Sequence, residues 1–248
     1  MYYVMSDING CYDKFIEMTE DILGLEEDDT LYLLGNIIGS DENSVKLLKE
    51  IADMVNVYPI MGVNEYAAYN ALKSLNKDLS DGKDYTSLSQ ETLDAMAKLN
   101  ELGCRKLAED FLKLSDDERN DFIDVLGDMK PYDTVEVNKK IFILVHQGLG
   151  NFEKNGKKLK SYTVEDLAFT PVDYRKRYFK DNGVYIVSGH VPVSETGSLR
   201  SGRYGATSLM SSRTRRYTPR SISAANCLKA LSDRLNRPIR LSDISLTV

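Results

Sequence analysis

Short apolar runs alternate along the chain with stretches in which apolar residues recur every three or four positions. The runs are Met1–Met5, Leu31–Leu34, Val57–Met61, Ile141–Val145 and Val184–Val187. Each is closed by polar or glycine residues, the pattern of a short buried strand. Between them, Phe15, Met18, Ile22 and Leu23 share one face of a helix over about 12–23, with Gly24 as its C-cap. Val45, Leu47, Leu48, Ile51 and Val55 do the same over about 42–54. Strand–helix alternation through residue 62 predicts an α/β fold with a mostly parallel, layered sheet.

Residues 64–130 read as a helical insertion over that sheet. Tyr66–Leu72 continues out of the third strand, and 76–89 is polar and loop-like. Ser89 opens a helix that runs through Leu102 to Gly103, and Ser115 with Glu118 forms a capping box ahead of Phe122, Val125 and Leu126. Residues 131–146 predict a hairpin turning at Asn138-Lys139. A Gly/Asn/Lys-rich loop over 148–160, a short basic aromatic helix over 174–179 and the strand that ends at His190 complete this part. Beyond about residue 195, arginine and serine dominate, and acids are scarce until Asp233. That segment, 196–248, is expected to pack on the same domain as a solvated stretch, with an arm for phosphate or nucleic acid as the alternative.

Composition narrows the class. The 248 residues are 42% hydrophobic and 28% charged, as in an ordinary globular protein. No apolar run approaches the ~20 residues of a membrane span, and residues 1–4 lack the basic-then-apolar pattern of a signal peptide. A net charge of −6 gives no general reason to expect nucleic acid. Cys11, Cys104 and Cys227 are odd in number and widely scattered, which suits incidental thiols in the cytoplasm.

The candidate chemistry sits where the strands stop. Asp7 and Asn9 follow the first strand, Asn36 the second, and Asn64 and Glu65 the third. His146 and His190, the two histidines of the chain, follow the fourth and fifth. Strand ends are the usual ligand crevice of α/β folds. Imidazoles and carboxylates gathered there suit a zinc-type or transition cation.

In order and spacing these motifs resemble the calcineurin-like metallophosphoesterases, in particular the bacterial serine/threonine phosphoprotein phosphatases. That family reads D-x-H-G, G-D-x-x-D-R-G, G-N-H-E, H-A-G and G-H-T-P. This chain reads Asp7-Ile8-Asn9-Gly10, Gly35-Asn36-Ile37-Ile38-Gly39-Ser40-Asp41, Gly62-Val63-Asn64-Glu65, His146-Gln147-Gly148 and Gly189-His190-Val191-Pro192, all within residues 1–195. The resemblance implies a central β-sandwich flanked by helices. It also implies two divalent cations (Mn, Fe or Zn) that activate water against a phosphoester. Asp7, His146 and His190 match metal ligands, and Glu65 matches the last residue of its motif.

Other positions depart from the pattern. Asn9 replaces a metal histidine, Asn36 the bridging aspartate, Val63 an asparagine ligand, Asn64 the histidine acid and Ser40 the phosphate-clamping arginine. At an effective dielectric near 20, two dications ~4 Å apart repel by about 16 kcal/mol before their ligands act. A bridging carboxylate offsets that repulsion and an amide does not. The substitutions therefore argue against two ions and leave room for one weakly held ion. The expectation is an impaired phosphatase-fold protein that binds a phosphoprotein or phosphoester ligand. The alternative is an active phosphomonoester hydrolase with a mononuclear or altered site.

Overall fold

The computed structural model describes residues 1–156, 158–173, 176–179 and 183–191. The Arg/Ser-rich segment and Cys227 lie outside them. β1 (Tyr2–Met5), β2 (Thr30–Leu33) and β3 (Val57–Pro59) form a parallel sheet in that order. The connections are α1 (Tyr12–Ile16), which runs on as a π-helical stretch over Glu17–Ile22, and α2 (Ser44–Asp53). α3 (Val63–Ser80), α4 (Gln90–Glu101), α5 (Arg105–Phe111) and α6 (Asp116–Gly127) follow. A second sheet contains β4 (Tyr132–Val137), β5 (Lys140–Val145) and β6 (Val184–Ser188), with β4 antiparallel and β6 parallel to β5. The short helices α7 (Phe152–Asn155) and α8 (Val164–Ala168) lie between β5 and β6.

The period-2 alternation of the strands explains the layers. In β1 and β2, Tyr3, Met5, Leu31 and Leu33 pack with the helices. Val4 and Tyr32 point the other way, into one apolar cluster with Phe142 and Leu144 of β5 and Tyr185 and Val187 of β6. Ile143, Val145 and Ile186 then face outward onto Leu149, Leu167 and Val172. The result is two sheets packed face to face with helical layers outside, the α/β architecture expected.

Several elements differ from the sequence reading. The third strand is shorter than 57–61, because past Pro59 the Met61 N–H turns to Lys130, 2.8 Å away. α3 runs on to Ser80 through part of the stretch read as loop. Its Ala68, Ala71, Leu72 and Leu75 are buried, as are the polar Asn64, Glu65 and Asp78, while Lys73, Lys77 and Ser80 face outward. The rest of that stretch is tied down by Asp78, whose carboxylate accepts bonds from the Ser89 N–H and Oγ, Thr92 Oγ1 and Lys83 Nζ at 2.6–2.8 Å. α5 had no start signal to read, since its N-cap residue Cys104 makes no side-chain cap. α7 interrupts the loop expected over 148–160, and α8 follows it as a helix the sequence reading did not predict. Of the helix expected over 174–179, residues 174–175 lie outside the described ones and Lys176–Phe179 is not helical. The hairpin and the Ser115–Glu118 box form as read, with Asn138 and Lys139 both at positive φ, 51° and 62°.

Candidate functional site

The ends of β1, β2, β5 and β6 and the start of α3 converge, and the backbone there is unusual. Asp7, Asn9, Asn36 and His190 all adopt left-handed φ, at 57°, 54°, 49° and 65°. Asn, Asp and His are the residues most tolerant of that region after glycine. Gly35 (φ +78°) permits a close approach of backbone to backbone. A Cβ there would lie 2.5 Å from Gly62 Cα and 2.7 Å from His146 Nδ1.

Asn36 lies at the centre of the cluster. Its Oδ1 accepts the Asn64 backbone N–H at 3.2 Å, which fixes the orientation of the amide. Its Nδ2 then lies 3.0 Å from Asp7 Oδ1 and 2.9 Å from His190 Nδ1. Asp7 Oδ2 accepts from Ser6 Oγ at 2.5 Å and from the His190 N–H at 2.8 Å. Burial works to raise the Asp7 carboxyl. The hydrogen bonds it accepts from His190 and Ser6 outweigh it and hold the group below its usual value.

His146 is fully buried, with its ring centroid 4.8 Å from that of His190. Its Nδ1 lies 2.5 Å from the Leu34 carbonyl oxygen, so that nitrogen carries the proton. Nε2 is then an acceptor, and it is buried without a partner among the described residues. Burial pushes this imidazole down to about 4, with Asp7 acting against the shift, and the ring is neutral at pH 7.

The remaining candidates are turned to the backbone. Glu65 is wholly buried and accepts the N–H groups of Asn36, Ile37, Ile38 and Gly62 at 2.7–3.0 Å. Burial pushes its carboxyl up to about 7 against the pull of those donors. The Asn64 amide donates to the Ile38 carbonyl at 2.8 Å, and the Asn9 amide donates to the Asp7 carbonyl at 2.8 Å. Ser40 is exposed and makes no side-chain hydrogen bond to the cluster among the described residues. Sequence reasoning missed Ser6 as a partner of Asp7, and adjacency to a strand-end acid was the only signal for it. Gly189 is read as part of its motif, and its missing Cβ lets the end of β6 approach Ser6.

These residues do not fit a two-cation centre. Asn36 brings no charge to the bridging place, and its N–H groups face the atoms that a cation would take. Val63 has no donor atom and is buried in the first turn of α3. Among the described residues, no three or more His, Cys, Asp or Glu side chains converge as a metal site.

Residues 2–194 match the family description "Calcineurin-like phosphoesterase". Over 54 residues the chain is 33% identical to a symmetrical bis(5'-nucleosyl)-tetraphosphatase of Aggregatibacter actinomycetemcomitans. That match takes in 22% of this chain and spans a fifth (20%) of that protein. Similar solved structures include a chain provisionally described as a diadenosine tetraphosphatase (TM-score 0.49, 15% identity, 84% of this chain and 82% of that one). Another is a yeast (Saccharomyces cerevisiae) protein serine/threonine phosphatase similar to human phosphatase PP5 (TM-score 0.47, 11% identity, 83% and 66%). No helix among the described residues is long and apolar enough to cross a membrane.

Proposed function

The chain belongs to the calcineurin-like phosphoesterase family, and on that premise we propose that it keeps the crevice of that family while acting by binding rather than by efficient hydrolysis. The observation that carries this reading is Asn64. It stands where the family has its proton donor, and its amide is committed to the Ile38 carbonyl. A neutral amide does not protonate a leaving alkoxide, and general acid catalysis supplies roughly 10²–10⁴ in rate. The ligand is of the phosphoester class, a phosphoprotein segment first. A dinucleoside polyphosphate is the alternative suggested by the tetraphosphatase match.

The test is hydrolysis of an activated aryl phosphate with Mn²⁺, together with retention on phosphopeptide resin. The expected result is turnover no higher than in a His190→Ala variant, with retention that free phosphopeptide competes away. The second reading is a hydrolase with a mononuclear site, and the unpartnered Nε2 of His146 favours it. Mn²⁺-dependent turnover that His190→Ala abolishes would establish that reading and sink the first.

A further inference from the structure

Asn36 does more than remove a metal ligand. A primary amide nitrogen has two hydrogens, and here two acceptors lie within reach of it, Asp7 Oδ1 at 3.0 Å and His190 Nδ1 at 2.9 Å. The amide oxygen is matched as well, by the Asn64 N–H at 3.2 Å. Asp7 is then satisfied on both oxygens, since Oδ2 takes Ser6 Oγ and the His190 N–H. Asp7 and Asn36 extend from the first sheet, whereas His190 extends from β6 of the second. Their shared hydrogen bonds therefore join the two sheets at the crevice.

A dication between a carboxylate and an imidazole would do the same work, placing positive charge where two lone-pair donors converge. The amide hydrogens supply a smaller positive pole at that place, with no ion to be lost. A carboxylate at position 36 would reverse the balance. It would donate no hydrogen bond, and it would set a second negative charge about 3 Å from Asp7 Oδ1. Two carboxylates so close cannot both stay ionised without a cation between them.

We propose that the Asn36 side-chain amide stands in for the metal centre, closing the crevice as a cation-independent junction, and that residue 36 selects between closure by an amide and closure by a cation. This rests on the reading of the crevice as a binding site, but it is tested apart from it.

Three consequences can be measured on the full chain. First, the wild-type melting temperature is the same in EDTA and in about 1 mM Mn²⁺. Second, Asn36→Asp melts lower in EDTA by roughly 5 °C, for two lost buried hydrogen bonds and a like-charge contact. About 1 mM Mn²⁺ returns most of that loss, by binding only the folded form. The variant's donors would be two carboxylates and the two imidazoles, a set that suits a divalent ion. Third, long-range ¹H–¹⁵N spectra of the wild type read opposite tautomers for the two histidines. The proton is on Nδ1 in His146 and on Nε2 in His190, and added Zn²⁺ moves neither. This third measurement needs no variant to fold.

A wild-type melting temperature that rises with Mn²⁺ overturns the proposal. So does an Asn36→Asp melt indifferent to Mn²⁺, or a His190 proton on Nδ1. Phosphopeptide retention, run in EDTA, separates the two ideas. Loss of retention with these melts intact sinks the binding function alone. Retention that requires Mn²⁺ sinks the amide junction alone.

Discussion

At the residue scale, positive φ and close approach decide more than side-chain chemistry. Gly35 has φ +78° and no room for a Cβ beside Gly62 and His146. Gly35→Ala adds both a left-handed penalty and a backbone clash, so a loss of roughly 2–4 kcal/mol is expected in urea denaturation. A loss below about 1 kcal/mol would show that the two loops can separate. Asp7, His146 and His190 could be marked as candidates in the sequence because each lies within two residues of the end of an apolar strand. The tasks of Asn9 and Glu65 were not legible, since bonds from a side chain to backbone groups leave no trace in residue type. Ser6 offered no signal beyond its adjacency to Asp7, and its hydroxyl proves to be an Asp7 partner at 2.5 Å.

At the element scale, Asp78 shows why a helix was cut short in the reading. Its position near the start of a polar run suggested loop, yet its carboxylate joins the end of α3 to the start of α4 through Ser89 and Thr92. Lys83 foremost, then the Ser89 N–H, hold this carboxyl well below its ordinary value. A group depressed in this way contributes stability that is present above the unfolded value and lost as pH falls through the folded one. The stability difference between wild type and Asp78→Asn is therefore constant from pH 7 to about 5 and shrinks below about pH 4. Urea melts at stepped pH check this, and a difference that grows on acidification would contradict it. α4 and α6 were legible because Ser89 and Ser115 cap them visibly; α5 begins at a residue that caps nothing.

At the scale of the whole molecule, the strands could be read but their partition into two sheets could not. The unbroken apolar runs of β1, β2, β5 and β6 show that both faces are buried, and pattern alone does not say against what. The packed cluster of Val4, Tyr32, Phe142, Leu144, Tyr185 and Val187 answers that. Phe142 is 2% exposed at its centre and stacks on Tyr185 at 5.1 Å. Phe142→Ala leaves a cavity between the sheets and should cost about 3–5 kcal/mol. Because the His146 and His190 loops hang from β5 and β6, the same variant should also disturb their imidazole resonances. A large loss of stability with both resonances unmoved would mean that the crevice is held independently of the sandwich.

The left-handed backbone at residue 36 also acts as a filter on inheritance. Few side chains are born into that conformation without penalty, and asparagine and aspartate are foremost among them. Their codons differ by a single base. Lineages descending from this chain would then not drift through the twenty residues at this place. They would flicker between amide and acid, one mutation apart.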